Sequence, residues 1–207
     1  MANRRETLLG AAIGVLGERG IRELTHRAVD AEAGVAAGSA ANYFPTREAL
    51  LEAIVERVSA MERDRFDEVA VKVCPVTPAE LGRAIAGWVR VGTGVHRALT
   101  LARYAILVEA GHNAKIRRQL AETGSRVNAW FANWLRLIGS VDTDRDVHVL
   151  GNYITGLMLH QLAIPDPGFD PAGKISALLE SLVQPASTPV RNSARRDGTE
   201  PARSNTS

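Results

Sequence analysis

The chain has 207 residues, 45% of them hydrophobic, a formal net charge of +2 and a single cysteine, Cys74. That length accommodates one or two domains with a substantial core, while one cysteine excludes an internal disulfide and suits a reducing, cytoplasmic setting. Residues 1–6 are polar, and Gly10, Gly14 and Gly17-Glu18-Arg19 interrupt the apolar residues that follow, so neither a targeting peptide, a membrane partner nor the ~20-residue apolar run of a membrane span is expected.

Leu8, Leu9, Ala12, Val15 and Leu16 recur at helical spacing and predict a first amphipathic helix. Residues 25–44, THRAVDAEAGVAAGSAANYF, then read as two short helices around an Ala33-Gly34-Val35 turn. Thr25 is a good N-cap, because its hydroxyl can accept an otherwise unsatisfied amide proton. Ala28, Val29 and Ala33 give the first helix a small apolar face. Gly34 suits the tight backbone of the turn, and Val35 would plug the angle between the helices. The second helix, expected over about 36–42, is almost all small residues and could approach DNA closely. Tyr43-Phe44 would anchor its end in a core, Pro45 stops it and Thr46 can cap the next helix. A helix-turn-helix of this kind places its second helix in the DNA major groove.

Helical periodicity continues over 46–72 through Leu50, Leu51, Ile54, Val58, Met61 and Phe66. Cys74-Pro75-Val76 breaks it, and Thr77-Pro78-Ala79-Glu80 opens another helix with a capping box and a proline at the first position. That helix carries Ile85, Trp88 and Val89 as far as Gly92-Thr93-Gly94. A further helix is expected over 97–110, ended by Gly111. The longest clean pattern follows: Ile116, Leu120, Val127, Trp130, Phe131, Trp134, Leu137 and Ile138. Gly139-Ser140 ends it, Asp142 or Thr143 caps the next helix to about 164, and Asp170-Pro171 starts the last. No strand run or GxGxxG-type fingerprint is present, so the expected fold is all-α.

The helix over 143–164 is apolar on more than one face, with Val147, Leu150, Ile154, Leu157, Met158 and Leu162, and Gly151 and Gly156 would permit close packing. Such a helix must be buried by something, either the protomer's own core or a second subunit. The second option gives a two-fold interface from Leu150, Ile154, Leu157 and Gln161 with Ile175, Leu178, Leu179 and Leu182. Between this segment and the N-terminal motif lie most of the chain's few aromatic residues. Trp88, Tyr104, Leu107, Trp130, Trp134, Tyr153 and His160 are the candidates for lining an effector pocket, with His96, His112, Asn128 and Asn133 as further polar groups. Aromatics at helical spacing equally suit a core.

The N-terminal pattern, from Leu8 through Gly20, Leu24-Thr25, Ala33-Gly34-Val35, Gly38-Ser39 and Asn42-Tyr43-Phe44 to Glu48-Ala49-Leu50-Leu51, resembles the DNA-binding domain of TetR (tetracycline-repressor) family regulators. The resemblance implies a helix-turn-helix domain over 1–47 and a helical effector-binding and dimerisation domain over 48–184, joined through the helix over 46–72. It implies a homodimer on a palindromic operator, its recognition helices roughly 34–36 Å apart, and repression relieved by an effector, for which the aromatic-rich segment suggests a small, largely apolar molecule. Family members commonly carry Ser or Thr where this chain has Ala36, and a bulky apolar residue then Tyr where it has Ala40 and Ala41. The expected DNA-contacting set is therefore Arg4, Thr25, Arg27, Ala36, Gly38, Ser39, Asn42, Tyr43 and Arg47. Glu6, Glu18, Glu23, Asp30 and Glu32 nearly balance the arginines of this region, so any basic face must be local.

Two other classes fit parts of the chain. A helical adaptor would bind a protein and no DNA. A helical-bundle metal enzyme would use Glu109 and His112 with His148 and His160, but further carboxylates at matching spacing are missing. No enzyme activity and no cofactor are expected. Residues 185–207 are rich in Ser, Thr, Pro, Asn and Arg and read as a disordered basic tail.

Overall fold

A computed structural model describes residues 3–72 and 74–183; the expected basic tail over 185–207 lies outside them. Among the described residues there are nine helices and no strand: α1 (Arg4–Arg19), α2 (His26–Glu32), α3 (Ser39–Tyr43), α4 (Arg47–Lys72), α5 (Pro78–Thr93), α6 (Arg97–His112), α7 (Ala114–Leu137), α8 (Thr143–Ala163) and α9 (Pro171–Val183). The caps are local and chemically plain. Thr25, Thr46 and Thr77 hydroxyls accept from Ala28, Ala49 and Glu80 amides, and the Glu80 carboxylate reaches back to the Val76 amide at 3.0 Å. Asp142, not Thr143, caps α8 by accepting from the Arg145 amide. Gly111 does not end α6, which runs on to His112; the stop is Asn113, whose side chain caps α7 by accepting from Lys115 and Ile116 amides. A cap two residues on overrode the weak helix propensity of one glycine.

Two apolar clusters organise these helices. The first joins α1, α2 and α3 to the first half of α4, and it extends to Leu99, Ala102, Ile106 and Ala110 of α6 and Ile116 of α7. It therefore runs through the boundary expected at residue 47. The second gathers Phe66, α5, Tyr104, the C-terminal half of α7, α8 and α9. Burial of Leu150, Ile154, Ile175 and Leu179 takes place inside this second cluster, each 3% exposed or less. These four have no free area to give a partner, which corrects their expected interface role: the apolar faces of α8 and α9 first satisfy their own protomer. Leu157, Gln161, Leu178 and Leu182 keep partial exposure, and the neighbouring Val149, Leu159 and Ile164 are exposed.

Close helix contacts occur where side chains are missing. A Cβ at Gly17 of α1 would collide with the Ala98 carbonyl oxygen in the first turn of α6. Gly82 lies against the side chain and backbone of Ser176, and Gly92 against the flexible end of the Met158 side chain. By contrast, Gly151 and Gly156 would meet nothing within 4 Å, so neither mediates a close helix contact within the protomer. Gly17→Ala should therefore lower stability by about 2 kcal/mol through overpacking against backbone. Gly151→Ala should raise it by up to about 1 kcal/mol through helix propensity. Urea denaturation of the two variants checks the opposite signs.

Candidate nucleic-acid interface and ligand cavity

The N-terminal end of α3 is held by a buried acid. Asp30 of α2 is 3% exposed; its Oδ2 accepts from the Gly38 amide at 2.8 Å and its Oδ1 from the Ala40 amide at 2.7 Å. A carboxylate at a helix N-terminus satisfies orphan donors and suits the local positive potential. Gly34 and Gly38 adopt left-handed conformations, φ +64° and +89°, which a side chain would strain. The left-handed residue at Gly38 delays α3 to Ser39, so the expected start near residue 36 is corrected. Ala40, completely buried, lets α3 lie close on α2.

At the other end, His26 Nε2–H donates to the Phe44 carbonyl at 2.6 Å. Phe44 is buried beneath the Arg5 guanidinium, 5.5 Å from its ring centre. Tyr43 does not share that anchorage: it is 45% exposed. The expected Tyr43-Phe44 pair thus splits, one ring fastening the helix and the other facing solvent. Ala36, Gly38, Asn42 and Tyr43 are exposed along α3 and its approach. Ser39 is half-buried and its hydroxyl donates back to the Ala36 carbonyl at 2.6 Å, and the Thr25 hydroxyl is engaged as the cap of α2. Arg47 donates to the Ile21 carbonyl at 2.7 Å. Arg4 and Arg27 are exposed, and among the described residues neither forms an ion pair. Asp30 and His26 were not among the expected functional residues, because counting charge along the sequence made Asp30 only a neutraliser of arginine.

Beside the second cluster, a partly open cavity of about 250 Å³ lies between α4, α5, α6, α7 and α8. Trp88 and Leu107 stand on its wall as expected residues. Five others do not line it. Tyr104 turns inward and donates to the Thr155 carbonyl at 2.9 Å; Trp130 donates to Asp67 Oδ1 at 3.1 Å on the outside. Trp134 packs edge-on against Phe131 at 6.0 Å, behind the cavity. Tyr153 is half-buried and His160 exposed on α8. Asn128, one of the expected polar groups, is on the wall as well, and the rest of it carries Phe66 and Phe131, the polar Ser59 and Thr155 and the ion pair of Glu62 with Arg103 at 2.8 Å. Gly151 lines it too, which explains the empty space beside its Cα. Burial pushes the Glu62 carboxyl above its ordinary value, against the opposing pull of Arg103 and Arg65. A smaller recess beside Leu99 and Thr100 shares Glu62, Trp88, Arg103 and Met158 with the main cavity. Among the described residues, no three His, Cys, Asp or Glu side chains form a metal-binding group, and no helix is long and apolar enough to cross a membrane.

Residues 8–54 match the family described as bacterial regulatory proteins, tetR family, and residues 76–185 match the tetracyclin repressor-like C-terminal domain. The chain belongs to the TetR family. It is a DNA-binding transcriptional regulator; TetR-family regulators bind DNA, form dimers and are generally non-enzymatic. It is similar to the multidrug binding protein EbrR. Against the imidazole complex of EbrR it shows 26% identity and a TM-score of 0.64, covering 91% of this chain and 99% of that one. Against the ethidium complex the identity is 26% and the TM-score 0.66, covering 88% and 99%. A TetR-family member from Streptomyces coelicolor A3 shares the fold at 24% identity and a TM-score of 0.66, over 88% of this chain and 99% of that one. The nucleoid occlusion factor SlmA of Glaesserella parasuis serovar 5 (strain SH0165) is 30% identical over 100 residues, 44% of this chain and 50% of that protein. The match thus spans half the length of that relative.

For this TetR-family regulator, Asp30→Ala strips two amides of their acceptor at the start of α3. It should cost about 2 kcal/mol and weaken operator binding more than Arg27→Ala does. Thermal denaturation and fluorescence anisotropy on the same samples separate the two effects.

Proposed function

We propose that this regulator is an effector-responsive repressor that binds a palindromic operator as a homodimer. The observation that carries the reading is continuity: α4 and α6 both wall the cavity, and both also belong to the apolar cluster that holds α1, α2 and α3. A ligand that favours a different setting of α4 and α6 must then alter the recognition helix. Such a ligand needs different affinities for the two settings, since tight binding alone shifts nothing. EbrR, a multidrug binding protein with imidazole and ethidium complexes, supports a small, aromatic effector here.

In this reading Asn42 and Tyr43 contact bases and phosphates, the backbone around Ala36 and Gly38 approaches them closely, and Arg4, Arg27 and Arg47 meet the DNA backbone. Thr25 and Ser39 act through the shape of the motif. The dimer forms over the outer faces of α8 and α9, where Leu157, Gln161, Leu178 and Leu182 join Val149 and Leu159 around the uncovered backbone of Gly156. The reading unit is residues 1–47 with the first half of α4, the sensing unit is the remainder to 184, and the working compartment is the cytoplasm.

The test is fluorescence anisotropy against DNA from the region upstream of the protein's own coding sequence, with scrambled DNA as control and salt varied. Specific binding that weakens with salt, and that falls at least about tenfold in the Asn42→Ala/Tyr43→Ala variant, is the expected outcome. No binding to either DNA at low salt contradicts the operator reading and favours a helical adaptor.

A further inference from the structure

Glu62 and Arg103 are the charged groups among the described residues lining the cavity, and they are bonded to each other. Neither is sealed: Arg103 keeps 30% and Glu62 23% of its side chain accessible. Around them stand three aromatic rings, with Phe66 to Trp88 at 5.2 Å and Phe66 to Phe131 at 5.4 Å between centres. A ligand whose charged end replaces one member of this pair leaves the other behind, and the two partners are not equally able to be left. A guanidinium keeps its charge in a protein. A carboxylate can take up a proton and become neutral. A cationic ligand on Glu62 would abandon a permanent charge beside Arg65, whereas an acidic ligand on Arg103 abandons a group that can neutralise itself.

We propose that the cavity takes a small carboxylic acid with an apolar, aromatic-sized body, whose carboxylate binds Arg103 in place of Glu62. The inference rests on the effector reading above and names its ligand class. The proton balance is simple: the ionised ligand replaces ionised Glu62 on Arg103, and Glu62 takes one proton from solvent. No other bond changes. Of the groups around Glu62, burial favours its protonation and Arg65 opposes it once Arg103 is taken by the ligand. Arg103 and Tyr104 face it from α6 and Arg65 from its own helix, with Glu68 beside Arg65. His96, in the turn before α6, lies within reach of the Arg65 charge, and the residues that α5, α7 and α8 contribute to the wall are all uncharged. Burial already biases the Glu62 carboxyl toward the neutral form.

Three probes with one body test the class: 4-phenylbutyrate, 4-phenylbutanol and 4-phenylbutylamine, titrated into the full-length dimer by calorimetry. The acid should bind about tenfold tighter than either analogue near neutral pH. Its apparent affinity should fall as pH rises, by up to about tenfold per unit while a full proton is taken up. Titration in two buffers of different ionisation enthalpy counts that proton. Arg103→Met should abolish the preference for the acid, and Glu62→Gln should retain acid binding while flattening its pH dependence, with circular dichroism verifying that both fold. Tightest binding by the amine, or an acid preference that survives in Arg103→Met, overturns the proposal and leaves the effector reading intact. Binding of none of the three likewise overturns the proposal, while the effector reading is judged separately by the operator-binding test.

Discussion

The rest of this structure depends on one backbone contact. Gly17 of α1 lies against the Ala98 carbonyl of α6 so closely that a single Cβ would collide with it. Side chains between two helices can change rotamer and absorb a small displacement; backbone against backbone cannot. Helix α1 must therefore follow the first turn of α6. From α1, the packing of Leu8, Leu9, Ala12 and Leu16 with Val29, Ala40 and Phe44 carries position into the helix-turn-helix, and the Asp30 carboxylate fixes where α3 begins.

The same turn of α6 borders the ligand side. Leu99 and Thr100 line the recess that adjoins the main cavity, and Arg103 stands one turn on, bonded to Glu62 of α4. Thr100 itself donates to the Gly92 carbonyl of α5 at 2.7 Å, in the glycine-mediated contact of α5 with Met158. A rearranged Glu62–Arg103 pair would thus act on the two helices, α4 and α6, that also build the DNA-reading core. Coupling of this kind is reciprocal: what the cavity does to the recognition helix, DNA must do to the cavity.

Features decided over one helical turn were legible in the sequence. The caps at Thr25 and Thr77, the proline-led starts of α5 and α9 and the glycine turn at Gly34 are side-chain-to-backbone matters within a few residues. What was not legible depended on partners far along the chain. The start of α3 turned on a carboxylate from another helix. An apolar α8 announced that it must be buried, but not that Leu150 and Ile154 would face their own protomer. Aromatics at helical spacing did not say which ring lines space and which fills it, so Trp88 lies on the cavity while Trp130 and Tyr153 do not. The Glu62–Arg103 pair joins two helices well separated in sequence, and neither residue stands out in its local pattern.

The central claim is that the reading helix and the cavity wall belong to one mechanical system. Hydrogen–deuterium exchange with and without bound operator DNA tests it directly, with no effector needed. Slowed exchange in α3 accompanied by altered exchange in the first turns of α6 and in α4 around Glu62 is the predicted result. Changes confined to α2 and α3, with α4 and α6 exchanging as in the free protein, would contradict it.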